Sequence, residues 1–193
     1  MKKMILIVSV VVSVFLFSFK MMEPVIWTVD KAHARLTFTV THMMVSDVEG
    51  SFRIFNAKVI TLKDDFSDAQ VDFSADASSV NTDNDQRDEH VKSAEFLEVT
   101  KYPVITFKST SFKKVNGNAY KVTGNLTIHG VTKPVILTAV ARTGINPMSK
   151  KPIAGFKITG TIKRSDYGVG TKFPVAVLSD EIAIAANAEF GKN

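Results

Sequence analysis

Strict alternation of apolar and polar residues recurs at five separated places along this chain, and it narrows what the chain can fold into. In Arg35-Leu36-Thr37-Phe38-Thr39-Val40-Thr41 the even positions are apolar and the odd ones are threonine or arginine. The same period of two returns in Val71-Asp72-Phe73-Ser74-Ala75-Asp76-Ala77, in Ile105-Thr106-Phe107-Lys108-Ser109, in residues 120–128 and in residues 156–163. Successive side chains of a strand point to opposite faces, so each run describes a strand with one dry and one wet side. Further strands are expected near residues 52–61, 135–142 and 182–190, which makes about eight. Asn116-Gly117-Asn118 signals a tight hairpin, and Gly144, Asn146 and Pro147 open a longer loop, so sequential strands pair antiparallel.

Eight antiparallel strands with one apolar face either close as a barrel or fold over as a sandwich, and only closure removes the unpaired edges. The expected fold is therefore all-β, an antiparallel eight-stranded barrel. Its inward set mixes Phe38, Phe52, Phe73, Phe107 and Phe156 with Ala34, Ala75, Ala77, Gly124 and Gly160. Small residues among large ones leave room for a ligand, or they fit the shape of a packed core.

One stretch breaks the pattern. More than twenty residues separate the strand reading that ends near Val80 from the one that resumes near Val104, far beyond a hairpin loop. Asp85, Asp88 and Glu89 suit a helix N-terminus. Val91, Ala94 and Leu97 then give an apolar stripe that a short helix would bury on the open end of the barrel, as a lid. Tyr102-Pro103 ends that helix, because proline disfavours α geometry in the residue before it.

The N-terminus carries a different message. Lys2 and Lys3 precede an uncharged run, residues 4–19, which is shorter than the roughly 20 residues that span a bilayer. Residues 1–22 read as a signal peptide or N-terminal anchor, which implies export to a periplasm or the exterior, with residues 23–193 as a single domain. The region around residues 18–22 offers no pair of small residues for a peptidase. Removing residues 1–20 takes away three lysines and no acid, and the formal net charge of +5 falls to +2. No Lys/Arg cluster remains to suggest nucleic acid. The chain has no cysteine, which excludes disulfides, thiolate chemistry and lipid attachment through a thiol.

Catalytic and metal chemistry find little support. His33, His42, His90 and His129 do not fall at ligand spacings on one strand or helix, so no metal site is expected. His42 points inward by parity, His129 falls on the outward face of a turn and is expected in solvent, and His33 with Asp30 reads as a local hydrogen bond. No strained turn presents a serine nucleophile, and Asp64-Asp65, Asp83 with Asp85, and Asp180-Glu181 read as solvated turns. The sequon Asn125-Leu126-Thr127 sits mid-strand and is taken as coincidence.

Four ordered blocks of residues resemble the YceI-like family of exported lipocalin-like barrels. The first is Trp27-x-Val29-Asp30-x-x-His33, Phe38-x-Val40-x-His42-Met43 and Val48-x-Gly50-x-Phe52. The second is Ser79-Val80-Asn81-Thr82, Arg87-Asp88-x-His90-Val91-Lys92-Ser93-x-x-Phe96-Leu97 and Lys101-Tyr102-Pro103-x-Ile105-x-Phe107. The third runs from Gly124 to Val135, and the fourth is Arg164-x-Asp166-Tyr167-Gly168-Val169. Ala34 departs from the Ser or Thr more usual in the family, and the loop over residues 144–152 is this chain's own.

The resemblance implies an elongated internal tunnel that holds a long polyisoprenoid or related amphiphile, with no catalytic residues and no metal. The expected lining is Phe38, Val40, His42, Val48, Phe52, Phe73, Ala75, Phe96, Phe107, Leu126, Ile128, Leu137, Phe156, Ile158 and Ile162. Arg87, His90 and Lys92 are placed to meet a head group, or else form a solvated helix face. No cofactor is expected beyond a bound lipid such as a polyisoprenoid or isoprenoid quinone. Partners would be that lipid and, transiently, a membrane; the oligomeric state, a homodimer included, is left open. Three alternatives stand beside this reading: a membrane-spanning barrel, an enzyme using His42 and His90, and a ligand-free structural or stress-related exported barrel.

Overall fold

The computed structural model describes residues 23–192, so the leader expected over residues 1–22 lies outside the described residues. Strands β1 (Val25–His42), β2 (Ser46–Phe52), β3 (Phe55–Thr61), β4 (Gln70–Asp76) and β5 (Val80–Asn81) precede helix α1 (Asp85–Lys92). Strands β6 (Val104–Asn116), β7 (Ala119–Ile128), β8 (Val131–Ile145), β9 (Pro152–Lys163) and β10 (Leu178–Lys192) follow it. All pairings are antiparallel. The ring runs β1-β10-β9-β8-β7-β6-β4-β3 and returns to β1, an eight-stranded closed barrel, with β2 and β5 as short additions. Among the described residues no helix is long and apolar enough to cross a membrane.

The single strand expected near residues 52–61 divides in two, because β1 is too long for one partner. Its first part pairs with β3, from Val25↔Thr61 to Thr28↔Lys58, and its second part with β2, from Leu36↔Phe52 to His42↔Ser46. Above the division β2 meets only the two residues of β5, so that end of the wall is left short of strands. Helix α1 and the turns after it stand there. On its other edge β1 bulges between Val29 and Ala34. Within that bulge the Asp30 carboxylate accepts from the Ala32 backbone N–H and lies 2.9 Å from the His33 ring, the local bond expected of that pair.

One barrel end is plugged. The connection between β3 and β4 drops Phe66 into the lumen, 2 % exposed, with its ring 5.5 Å from Trp27 and 5.1 Å from Phe156. A polar bracket holds the connection in place: the buried Thr61 hydroxyl donates to Asp68 at 2.6 Å, and the Asp68 carboxylate also accepts from the backbone N–H groups of Leu62 and Lys63. Burial pushes the Asp68 carboxyl up, but those bonds outweigh it and hold it below the usual carboxylate range. The Tyr120 hydroxyl donates to the Asp65 carbonyl at 2.6 Å and seals the edge.

Two glycines shape the remaining space. A side chain at Gly50 would collide with the Phe38 ring, and one at Gly124 with the Phe107 ring. Each aromatic therefore lies against bare backbone of the neighbouring strand instead of standing across the lumen. The small residues serve both purposes the sequence left open: they fit shape, and by doing so they keep the centre hollow.

Candidate functional site

The hollow consists of two chambers. The larger, about 420 Å³, lies at the α1 end, and the deeper, about 170 Å³, reaches toward the plug. Phe38, Phe52, Ile105, Ile128, Ile162 and Ile184 belong to both walls, so the chambers are parts of one lumen that narrows at these side chains. The larger volume is of the size that encloses small organic ligands. Its walls are almost wholly hydrocarbon.

Of the residues expected to line a tunnel, Phe38, Val40, His42, Val48, Phe52, Phe96, Ile128 and Ile162 face the larger chamber. Phe73, Phe107, Leu126, Leu137, Phe156 and Ile158 face the deeper one. Ala75 does not reach either chamber. It is buried, but it is paired in register with Phe55 and Ile105, whose larger side chains line the wall in its place. Arg87 and His90 lie on the wall of the larger chamber. Lys92 does not, because its ammonium is held 2.9 Å from Glu89 on the helix itself.

Helix α1 is built differently from expectation. Asn84 caps it, its side chain accepting from the Arg87 backbone N–H at 2.9 Å. It ends at Lys92, so the proposed stripe over Val91, Ala94 and Leu97 never forms on one helix: Ala94 is exposed, and Leu97 is buried from the turn that follows. The helix is anchored by a carboxylate. Asp88 accepts from the Thr82 hydroxyl at 2.6 Å, the Thr82 backbone N–H at 2.7 Å and the Asn81 amide at 3.2 Å. Burial raises the Asp88 carboxyl, yet these bonds prevail and keep it below its ordinary range. The Arg87 guanidinium completes the network by donating to the Thr82 hydroxyl and carbonyl.

Across the mouth lies a second segment, which the alternation could not reveal. After β9, a 3₁₀ turn over Arg164–Tyr167 leads into an irregular stretch before β10. Arg164, 4 % exposed, donates to the carbonyls of Val169, Gly170, Phe173, Leu178 and Ser179 at 2.5–3.3 Å. One buried cation thereby folds the whole stretch around itself. Tyr167, Val169, Phe173, Val177 and Leu178 from this segment line the larger chamber. Burial, aided by Asp166, pushes the Tyr167 hydroxyl up to about 12, so it stays neutral. The Arg164-x-Asp166-Tyr167-Gly168 block was visible in the sequence, but nothing local tied it to the mouth.

The two segments clasp each other. Gly170 N–H donates to the Glu95 carbonyl at 3.0 Å, Lys172 pairs with the Glu95 carboxylate at 3.2 Å, and Phe96 stacks on Phe173 with centroids 5.1 Å apart. His90 sets its ring edge-on to both phenyls and lies 2.8 Å from Glu95. Bonding from His90 and then Lys172 holds the Glu95 carboxyl below its usual value. His129 is not the solvated turn residue expected: its side chain is 18 % exposed, one nitrogen meets the Tyr167 carbonyl at 3.1 Å and the other meets Glu98 at 3.3 Å. His42 is exposed at the rim.

Comparison with known proteins agrees with this architecture. A UPF0312 protein of Pectobacterium carotovorum is 40% identical over 154 residues, covering 79% of each chain. The crystal structure of the Campylobacter jejuni YceI protein superposes with a TM-score of 0.73 at 32% identity, covering 79% of this chain and 90% of that one. A polyisoprenoid binding domain from Saccharophagus degradans, implicated in plant cell wall breakdown, shares the fold at a TM-score of 0.62 and 15% identity, covering 87% and 98%. With a closed eight-stranded barrel, a lumen roofed by two clasped segments, and a YceI-like domain model matching residues 27–190, the chain belongs to the YceI-like family.

Proposed function

We propose that this protein binds a long-chain isoprenoid, of the polyprenyl or quinone type, or a similar amphiphilic lipid, and stores or carries it without transforming it. The observation that carries the reading is the hydrocarbon-walled lumen, about 420 Å³ leading into about 170 Å³. The family membership supports it, as does the likeness of fold to a domain described as polyisoprenoid-binding. Polar groups concentrate at the mouth, where Arg87 and His90 are placed to meet a phosphate or carbonyl head group. Export to a periplasm or the exterior, and transient contact with membranes, belong to the same proposal.

The energetics favour exchange over permanent capture. Burying a methylene against water is worth about 0.8 kcal/mol, so tens of carbons would nominally exceed the affinity ceiling near −18 to −21 kcal/mol. Such a lipid resides in a bilayer, however, which is as apolar as the lumen. Transfer between the two is close to neutral, as a carrier requires.

Native mass spectrometry of protein purified from its own host, followed by organic extraction, tests the reading: a prenyl or similar long-chain lipid should come away. An empty protein would favour the ligand-free barrel. Phe107→Glu and Phe73→Glu should lose the ligand, because each forces an unpaired carboxylate into the lumen.

A further inference from the structure

The rim of the larger chamber carries an apolar point that the fold does not cover. Met43, Met44 and Val45, joining β1 to β2, are 51%, 75% and 84% exposed, and Val175 in the segment before β10 is 62% exposed. The Met43 N–H donates to the Val177 carbonyl at 2.9 Å, so the hairpin tip and that segment are one unit. His42 and Val48 below the tip, and Val177 beside it, line the chamber. Residues of the lumen wall thus directly adjoin the exposed tip on both sides.

Backbone geometry marks the tip independently. Met43 and Met44 hold φ of 52° and 59°, the left-handed region that costs a residue with a side chain of order 1 kcal/mol or more. The β6–β7 turn uses Gly117 at φ 51° and the β7–β8 turn pairs His129 at φ 51° with Gly130 at φ 74°, whereas the Met43-Met44 turn sets two successive residues in this region with no glycine. Asn-Gly would make the Met43-Met44 turn more stable. The chain instead spends turn stability on presenting two long, flexible thioethers to solvent.

The occupant must suit a small convex point. A protein interface takes roughly 20–30 residues a side, and three side chains at a hairpin tip with one from the neighbouring segment do not supply it. Interfacial lipid accepts a few inserted apolar side chains readily. We propose that Met43-Met44-Val45 with Val175 form a prong that enters the interfacial layer of a lipid bilayer beside the chamber mouth, so that the ligand passes between acyl chains and lumen without crossing bulk water. The proposal rests on the lipid-carrier reading and assigns the surface that performs the membrane contact.

Flotation with vesicles of phosphatidylethanolamine and phosphatidylglycerol tests it, comparing wild type with Met43→Asn/Met44→Gly and with Val45→Ser. The double variant should melt higher than wild type, because its turn is relieved, yet bind vesicles about ten-fold more weakly or less. Its extractable lipid should match wild type, while transfer of that lipid to acceptor vesicles slows to a similar degree. Val45→Ser should weaken vesicle binding by a smaller factor. Equal vesicle binding by wild type and the double variant would overturn the prong, as would failure of wild type to float. A wild-type dimer that the double variant converts to monomer, with vesicle binding unchanged, would assign the tip to a second copy and overturn it equally. Absence of extractable lipid from wild type would strike the carrier reading instead, and the two failures are read in separate assays.

Discussion

The two ends of the barrel are secured by the same polar device and yet close differently. At the plugged end the Thr61 hydroxyl donates to Asp68, and at the mouth the Thr82 hydroxyl donates to Asp88, each at 2.6 Å, with two backbone N–H groups adding to the first carboxylate and one to the second. What differs is where the nearby aromatic goes. Phe66 drops into the lumen against Trp27 and Phe156. Phe96 instead lies across the opening and stacks on Phe173 from a second segment. A bracket fixes a loop to the rim; whether the end is solid depends on whether the loop sends its aromatic down the axis or across it.

The largest effect should come from the plug. Phe66→Ala should cost about 3–5 kcal/mol in denaturant unfolding, since a buried ring is removed from between two others. The corresponding change at the mouth, Phe173→Ala, should barely alter unfolding and should speed lipid exchange. Equal destabilisation by the two would break the comparison.

Arg164→Met comes next, at about 2–3 kcal/mol, because several carbonyls lose their shared donor at once. Hydrogen exchange confined to residues 168–178 should rise with it. Protection there unchanged would mean that the segment is held by its apolar contacts alone.

The two brackets sharpen the comparison on a smaller scale. Both carboxyls are held below their ordinary range in the folded chain, so their contribution is fully present above the unfolded carboxylate value and is lost as pH falls through that value toward the lowered one. Asp68→Asn and Asp88→Asn should each cost about 1–2 kcal/mol at neutral pH and flatten the acid side of the stability profile. Only the Asp88 variant should also quicken lipid exchange, a difference that stopped-flow transfer between vesicles would read.

Smallest in stability is Glu95→Gln, on an exposed clasp. It should leave the unfolding midpoint almost unmoved while loosening the contact with Lys172 and His90. An exchange rate equal to wild type would show that the Phe96–Phe173 stack alone holds the roof.

The walls were legible in the alternation itself. Phe38, Phe107 and Phe156 were placed inward by parity alone, and the lumen contains them. The division between β2 and β3 was not, because it arises from β1 outrunning any single partner, a matter of ring geometry. The lid was half legible: Asp85, Asp88 and Glu89 mark a helix start, but the Asn84 cap was not read, and α1 stops at Lys92 and is secured by the buried carboxylate of Asp88. Ala75 stands back from the lumen behind its taller cross-strand neighbours, and Lys92, a head-group candidate, instead takes the alternative of an ion pair with Glu89 on the helix face.

Period-two patterning, turn residues and the absence of cysteine determined by themselves that this chain is an antiparallel all-β domain stabilised by a hydrophobic core, since those features act between residues close in sequence. Whether the core would be solid or hollow was decided only in three dimensions. Gly50 admits the ring of Phe38, Phe66 closes one end, and Arg164 gathers the carbonyls of a distant segment over the other. Each of these is a contact between chain segments that meet only when the barrel closes, and the free space left between them is a property of no single stretch of sequence.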